Sequence, residues 1–260
     1  MTNTTTLQMI GMFLLPLIAV LLPVLIGQYY GLYLRKKSGE IQDTPVGSVV
    51  GAALGLLAFM LAFTFQIVDN RYEARKALLL EEVTDIRTTY LRAGLIPEPF
   101  RSDSRKLLVE YVDLRIDLPK DFSKFNEVLS RSQVILDSLW KHAESLAAQD
   151  RSSEAYSLFT SSVNDIFDLY NQRITVTLQY RIPQTILYVL FFITFFSMLT
   201  LGYQFGISGR GNIMVNLIFA IIFSSVMWLI FALDRPETGL IRLNQAPMIT
   251  LQQQLHNWQQ

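Results

Sequence analysis

Residues 62–76 read AFTFQIVDNRYEARK, and the course of the chain through this stretch decides the fold. The first half of the stretch is apolar, and residues 62–68 carry no charge. The second half is charged, with Asp69, Arg71, Glu73, Arg75 and Lys76. No Gly, Pro or cluster of turn-forming residues separates the two halves. Because nothing in the stretch breaks a helix, it predicts one continuous helix that leaves a membrane and enters water.

Four segments of the 260-residue chain contain no Lys, Arg, Asp or Glu, namely residues 1–34, 47–68, 182–209 and 211–233. Each segment can supply the roughly 20 apolar residues that a helix needs to cross a bilayer core. No basic region precedes the first segment and no small-residue cleavage pattern follows it, so we expect it to be retained as a span. The sequence therefore predicts an all-α integral membrane protein with four transmembrane helices.

The second of these helices is predicted to run from Val46 to about Arg92. Gly94 suits a helix C-terminal cap, and Pro97 and Pro99 cannot continue a helix. About 47 residues at about 1.5 Å per residue give a length of about 70 Å, roughly twice the thickness of a bilayer core. Half of this helix is therefore expected to project into water.

The chain is predicted to have five parts. In order they are a first transmembrane helix with a short loop (1–46), a long second helix (47–94, with 47–68 in the membrane and 69–94 as a soluble extension), a soluble helical bundle (95–181), transmembrane helices three and four (182–233) and a C-terminal tail (234–260). The bundle is expected to contain helices over about residues 102–116, over about 124–148 and from about residue 150 onward. A short amphipathic helix is predicted in the tail.

Composition argues against several functions. Lys and Arg together number 22, as do Asp and Glu, so the zero net charge gives no argument for nucleic-acid binding. The chain has no Cys, which excludes disulfides and thiolate metal sites. Its two histidines, His142 and His256, do not follow a metal-ligand pattern and are predicted to be ordinary helix-surface residues. Since no P-loop, G-x-S-x-G or H-E-x-x-H motif occurs, we predict no enzyme, no catalytic residue, no metal and no cofactor.

A stripe of residues spaced four apart follows the second span: Gly47, Gly51, Gly55, Phe59, Phe63 and Ile67. Residues at i and i+4 lie on one helix face. One interpretation is a packing seam, because small residues let membrane helices approach closely. The other interpretation is a pore, in which rings of Phe59 and Phe63 form a constriction that excludes water. A single chain with four spans has little room for a pore, so this interpretation requires symmetry-related copies.

The pore interpretation assigns roles to residues along this face. The predicted pore or gate residues are Gly55, Phe59, Phe63 and Ile67. Beyond the membrane the same face is predicted to form a vestibule with Asn70, Glu81 and Asp85, where acidic groups would attract cations. The alternative for the charged residues of this segment is that they only solvate the helix and pair along it.

At these residues the sequence resembles the bestrophins. Phe59 and Phe63 match the phenylalanines of the bestrophin neck, and Arg71–Tyr72 matches an Arg-aromatic motif. The resemblance is closer to a family of bacterial bestrophin-like membrane proteins, through RYEARKALLLEE (71–82), TTYLRAGLIPEP (88–99) and LDRPETGLIRLNQAPM (233–248). It covers most of residues 47–255. The residues that carry the family motifs are Arg71, Tyr72, Glu73, Arg75, Asp234, Arg235 and Pro236.

The sequence departs from the bestrophin pattern at several positions. Gly55 stands where bestrophins have a third bulky neck residue, and Glu73 replaces the second aromatic residue of their motif. An alternative alignment on Glu73–Lys76 shifts the register by one and takes Phe59 and Phe63 off the neck. No acidic cluster resembles the calcium clasp of animal bestrophins, so calcium activation is not expected. Asp234 and Arg235 are adjacent and cannot pair with each other along a helix, so each is expected to cap or pair with a neighbouring helix.

The resemblance implies a homo-oligomer, a pentamer in true bestrophins, that conducts a small ion across the bacterial inner membrane. The alternative function is a membrane-anchored sensor or scaffold without a pore, whose helical bundle binds a ligand or a protein partner. Lys and Arg near the span ends are more numerous on the side of the bundle than on the opposite side, which predicts a cytoplasmic bundle and cytoplasmic termini. The compact cluster of residues 35–37 argues for the opposite orientation. The lipid bilayer and further copies of the chain are thus the expected partners.

Overall fold

The computed structural model describes residues 3–38, 45–117, 124–178, 181–209, 213–234, 241 and 243–259. Within these ranges all regular secondary structure is helical, and there is no strand. The helices are α1 (Asn3–Ser38), α2 (Val46–Ala93), α3 (Phe100–Asp117), α4 (Phe125–Gln149), α5 (Glu154–Leu178), α6 (Gln184–Ser208), α7 (Ile213–Asp234) and α8 (Ala246–Gln259). Four of them, α1, α2, α6 and α7, are long and apolar enough to cross a membrane. The predictions of an all-α fold and of four candidate spans are therefore confirmed.

Helix α2 continues without interruption for 48 residues, as the stretch at residues 62–76 predicts. It ends at Ala93, where the amide of Gly94 donates a hydrogen bond to the carbonyl oxygen of Leu91 at 3.0 Å. Gly94 does not take a left-handed conformation, so it is not a left-handed C-terminal cap of the kind expected. A Cβ atom added to Gly94 would lie 2.6 Å from a guanidinium nitrogen of Arg105, so the glycine makes room for this side chain.

The chain forms two compact units. The first unit comprises Met1–Tyr72 and Arg181–Ile241, and the second comprises Glu73–Tyr180 and Arg242–Gln260. The division therefore falls inside α2. The first unit contains the candidate spans α1, α6 and α7. It also contains the apolar half of α2.

In the first unit, α1 and α6 are in direct contact through glycines. A Cβ atom added to Gly202 would lie 2.0 Å from the carbonyl oxygen of Val24, and one added to Gly27 would lie 2.1 Å from the carbonyl oxygen of Leu199. Gly31 and Gly206, each four residues further on, meet the opposite backbone in the same way. The two backbones can approach this closely only because none of the four positions carries a side chain. This contact is the small-residue seam of the unit.

Polar side chains connect other helices of the first unit. The buried amide of Asn216 on α7 donates a hydrogen bond to Oε1 of Gln28 on α1. On α6, the hydroxyl of Ser197 donates to the carbonyl oxygen of Ala53 on α2 at 3.1 Å. Such bonds hold helices together in an environment where the hydrophobic effect does not favour helix association.

In the second unit, the last part of α2 packs with α3, α4, α5 and α8 around an apolar core. The tail helix α8 belongs to this core, because Met248, Leu251 and Leu255 are fully or almost fully buried. These three residues recur at helical spacing and form one apolar face. The prediction of an amphipathic helix in the tail is therefore confirmed.

A buried ionic cluster joins three helices of the second unit. Glu82 on α2 is fully buried, and its Oε1 atom accepts a hydrogen bond from the hydroxyl of Tyr111 at 2.9 Å. The same oxygen lies 3.1 Å from Nε of Arg115 on α3, and the other carboxylate oxygen pairs with Arg173 on α5. Burial raises the pKa of Tyr111 to about 12, so its hydroxyl keeps its proton and remains a donor to the carboxylate. Pairing of this kind is what makes a buried carboxylate tolerable.

The prediction that His142 is an ordinary surface residue is wrong. Its ring is half-buried, with Nδ1 2.9 Å from the hydroxyl oxygen of Ser104 and its ring centroid 5.4 Å from that of Phe100. Ser104 is completely buried on α3, so the contact with Ser104 joins α4 to α3. His256, in contrast, is exposed on α8 and contacts the carbonyl oxygen of Gln252 at 2.9 Å.

We expect Gly202→Ala to destabilise the protein by about 1–3 kcal/mol, because the added methyl group overpacks the contact between α1 and α6. The matched control is Gly11→Ala on α1, where an added Cβ atom meets nothing within 4 Å. Melting temperatures in detergent should fall for Gly202→Ala and should not fall for Gly11→Ala. Equal melting temperatures for the two variants would contradict the close backbone contact.

Titration of His142 should make stability depend on pH. Burial lowers the pKa of His142, while the nearby carboxylate of Asp103 acts in the opposite direction. As the pH falls below about 6.5, the unfolded chain binds the proton first, so the free energy of unfolding decreases until the folded form is also protonated. The melting temperature of the wild type should therefore fall more steeply between about pH 7 and pH 5 than that of His142→Gln. The control variant His256→Gln, at an exposed site, should behave like the wild type. Identical curves of melting temperature against pH for His142→Gln and the wild type would show that His142 is not the source of the pH dependence.

Candidate functional site

One side of the apolar half of α2 is not covered by the other residues that the structure describes. The buried side of this half is formed by Val50, Leu57, Leu61, Thr64 and Val68. The opposite side, which we call the uncovered face of α2, consists of Gly51, Ala52, Gly55, Leu56, Ala58, Phe59, Ala62, Phe63, Gln66 and Asn70. Phe59 is 66% exposed and Phe63 is 51% exposed, although both are large apolar residues.

The structure separates the predicted pore and vestibule residues into two groups. Gly55, Phe59, Phe63, Asn70 and Glu81 are exposed, whereas Ile67 and Asp85 are half-buried. The reason lies in the spacing, because four residues turn an α-helix by about 400°, which is about 40° more than a full turn. A strict four-residue stripe therefore winds around the helix and reaches its flank after a few steps. At about 100° per residue, the positions of Ile67 and Asp85 are each rotated by about 80° from that of Phe59 around the helix axis.

Gln66 is the residue of this face that the four-residue stripe does not include. Alternating steps of four and three residues, close to the helical period of 3.6, lead from Phe59 through Phe63 and Gln66 to Asn70. Nε2 of Gln66 donates a hydrogen bond to Oδ1 of Asn70 at 2.8 Å, and both side chains are exposed. A glutamine inside an otherwise apolar segment was the sequence signal that could have identified it.

The uncovered face also differs in composition from a surface suited to lipid. Half of its ten residues are Gly or Ala, and a Cβ atom added to Gly51 or Gly55 would meet nothing within 4 Å. No contact within the described chain therefore accounts for these two glycines, in contrast to the four glycines between α1 and α6. The exposed side of α7 carries bulky aliphatic residues instead, namely Ile213, Met214, Val215, Leu217, Ile218, Ile221 and Ile222.

Asp234, one of the family-motif residues, joins three helices of the first unit. Its Oδ1 atom lies 3.4 Å from Nη1 of Arg71 on α2 and accepts a hydrogen bond at 3.0 Å from the amide of Ile182, just before α6. Asp234 itself is the last residue of α7 and is 9% exposed. Contact with another helix is what the sequence predicts for this residue. Arg235 and Pro236 lie outside the described residues.

The remaining motif residues take different positions along α2. Glu73 and Lys76 are exposed and form an ion pair at 3.3 Å, as expected for a solvated helix. Tyr72 is half-buried and packs against the core of the first unit. Arg75 is only 5% exposed, so its guanidinium does not contribute charge to the uncovered face.

The clusters of polar side chains elsewhere in the described part of the chain are engaged in packing and pairing. Within that part, no group of three or more His, Asp or Glu side chains is arranged to hold a metal ion. Ser104 is buried and bonds the half-buried ring of His142, and the carboxylate of Glu82 is engaged by its three partners. The uncovered face of α2 is therefore the candidate functional site.

The fold is similar to that of several solved membrane proteins. A crystal structure of a bestrophin homologue from Klebsiella pneumoniae, carrying a point mutation, has a TM-score of 0.66 and 17% sequence identity, and the match covers 97% of this chain and 99% of that chain. Another structure of the Klebsiella pneumoniae homologue has a TM-score of 0.65 and 16% identity, with coverage of 92% and 97%. A further crystal structure, described only as a membrane protein, has a TM-score of 0.68 and 16% identity, with 97% of both chains covered.

Sequence comparison identifies the family. No match was found among the curated proteins. The Bestrophin-like domain, however, matches residues 18–248, which is most of the chain and includes α2 and the motif residues Arg71 and Asp234. The resemblance seen in the sequence is thereby confirmed, and this membrane protein belongs to the Bestrophin-like family.

Proposed function

We propose that this protein is an oligomeric ion channel of the bestrophin type, in which the uncovered face of α2 lines the pore. The observation that carries the proposal is the order of residues on this face. Small residues come first, two exposed phenylalanines follow one turn apart, and a pair of amides comes next. Family membership supports the same function.

A pore accounts for this face better than contact with lipid does. A polar side chain exposed to the hydrocarbon core of a bilayer is costly, and such residues normally face a protein interior or a water-filled cavity. Gln66 lies within residues 47–68 and on the same side of α2 as Phe59 and Phe63, so a face turned toward lipid would also expose this amide to it. A face turned toward a lumen would leave the amide hydrated.

One uncovered helix face cannot enclose a pore, so the proposal requires several copies around an axis. Closed cyclic symmetry would place the same face of α2 from each copy around the lumen. We favour five copies, and this number rests on the family resemblance alone. In this arrangement residues 47–68 cross the membrane, whereas residues 69–94 and the helical bundle of residues 95–181 lie in water.

The gate in this proposal is an apolar neck. Phe59 and Phe63 are four residues apart, so their rings would line about 6 Å of the pore axis. A narrow apolar neck excludes water and ions unless it widens. Arg71 and Asp234 tie α2 to α6 and α7 two turns beyond Phe63, so a displacement of these helices would reach the neck. Gly55 and Ala52 leave a wider passage before the neck.

The vestibule beyond the neck would contain Asn70 and Glu81, which are both exposed, with Asp85 at its edge. Among the nearby basic residues, Arg71 is engaged with Asp234 and Arg75 is buried. Glu81 therefore places an exposed acidic group on this face of α2. This distribution favours cations over anions.

Replacement of both neck phenylalanines by alanine should raise ion flux into liposomes, because a wider and less apolar neck admits water. The matched control is the double variant Phe192→Ala/Phe196→Ala on α6, whose residues are also one turn apart and exposed, at 64% and 46%. The control should leave flux unchanged. Native mass spectrometry of the same samples should show oligomers.

Two results would contradict the pore. If Phe59 and Phe63 are instead packed in an interface, their loss should cost about 3–5 kcal/mol per ring and impair assembly without flux. A wild-type protein that is monomeric in detergent and does not conduct would favour the sensor or scaffold alternative.

The proposed orientation places the helical bundle and both termini in the cytoplasm. Reporter domains inserted between Gly94 and Pro99, or fused to the C-terminus, should therefore both give a cytoplasmic signal. The excess of Lys and Arg near the span ends on this side is the physical reason. A periplasmic signal at either position would show that the cluster of residues 35–37 determines the topology instead.

A further inference from the structure

We propose that Gln66 and Asn70 form an ion-contact site directly beyond the neck, in which the side-chain oxygen of Gln66 binds a partly dehydrated monovalent cation. This inference rests on the proposed function and assigns the ligand class and the residues that select it. It starts from the hydrogen bond of 2.8 Å between Nε2 of Gln66 and Oδ1 of Asn70 on the uncovered face of α2.

The hydrogen bond determines which atoms remain available to a ligand. It uses one donor of Gln66 and the oxygen of Asn70, and it holds two long side chains in one arrangement. Oε1 of Gln66, with two lone pairs, and the amide nitrogen of Asn70 remain free for other partners. Oε1 is therefore the oxygen of the pair that can coordinate a cation without breaking the bond.

The position of the pair along the helix suits this role. Gln66 follows Phe63 by three residues, which corresponds to about 4.5 Å along the axis. An ion that passes the apolar rings has few ligands there, and Gln66 is the first polar side chain beyond them on this face. Conduction requires contacts that are favourable enough to admit an ion and weak enough to release it. A ring of neutral amide oxygens meets both conditions.

The surrounding charges favour a cation. Arg71 is held by Asp234, Arg75 is buried, and Lys76 is paired with Glu73. No unpaired basic side chain of the described part of α2 between residues 66 and 82 therefore faces the amides. The anionic group nearest in sequence, Asp69, is half-buried on the flank of the same turn.

The test is electrical recording from purified protein in planar bilayers, with a KCl gradient and with Li⁺, Na⁺, K⁺, Rb⁺ and Cs⁺ in turn. Gln66→Leu should lower cation conductance about tenfold, the order expected when one contact to a charged group is lost, and should weaken the preference among the cations. Asn70→Leu should have a smaller effect in the same direction, because it removes the partner that orients Gln66. The control is Gln184→Leu, which replaces an exposed glutamine of α6 and should change neither quantity.

A second variant keeps the inference testable if Gln66→Leu does not assemble. Gln66→Glu preserves size and adds a negative charge, so it should shift the reversal potential in the KCl gradient further toward the potassium equilibrium potential. An unchanged reversal potential would overturn the site.

The outcomes separate this inference from the proposed function. A conducting wild type whose permeability sequence is the same in Gln66→Leu, Asn70→Leu and Gln184→Leu would overturn the ion-contact site and leave the channel intact. A wild type that prefers chloride would overturn the assignment to cations. A wild type that forms oligomers and does not conduct would overturn the channel, and the ion-contact site with it.

Discussion

The rest of the structure depends on α2 being one continuous helix whose exposed side is set, in each unit, by the residues that it buries there. Val50, Leu57, Leu61 and Val68 anchor one side of it in the first unit, and Leu79, Glu82 and Ile86 anchor it in the second. Within each unit the buried positions advance by steps of four and three (57, 61, 64, 68 and then 75, 79, 82, 86), so they stay on one side of the helix. Because the helix has no break, burial of this side leaves the opposite side free along its length. The candidate site is thus a consequence of helix periodicity and of the anchors.

The two units are stabilised by different physical means. In the first unit the close backbone contact of α1 and α6 provides dispersion contacts, and one hydroxyl of α6 bonds a carbonyl oxygen of α2. In the second unit an apolar core surrounds a buried carboxylate that three donors share. Close backbone contact suits a membrane, where no hydrophobic driving force acts between helices. A buried carboxylate is tolerated only when hydrogen bonds and ion pairs offset the cost of removing its charge from water.

Much of this fold could be predicted from local sequence. The uncharged segments, and the absence of a helix breaker between Ala62 and Lys76, were sufficient for the spans and for the continuity of α2. The four-residue spacing placed Phe59, Phe63 and Ile67 on one stripe, and because this spacing exceeds the helical period the stripe reaches the half-buried flank of α2 at Ile67.

What local sequence could not provide was the identity of tertiary partners. Glycines spaced four apart occur on α1, α2 and α6 alike, and only the folded chain shows that those of α1 and α6 meet. The partner of His142 lies 38 residues away, and that of Asp234 lies 163 residues away. No periodicity within one helix contains such pairs.

The position of Asp234 has a further electrostatic consequence. As the last residue of α7, its carboxylate lies at the negative end of that helix's macrodipole, where a negative charge is unfavourable. The guanidinium of Arg71 and the amide of Ile182 supply the positive potential that offsets this repulsion. The end of α7 is therefore stabilised by charge from elsewhere in the unit, and its last turn would tend to unwind whenever α2 moved Arg71 away. The helix–coil equilibrium at the C-terminal end of α7 would thus be coupled to the position of α2, which carries the candidate site.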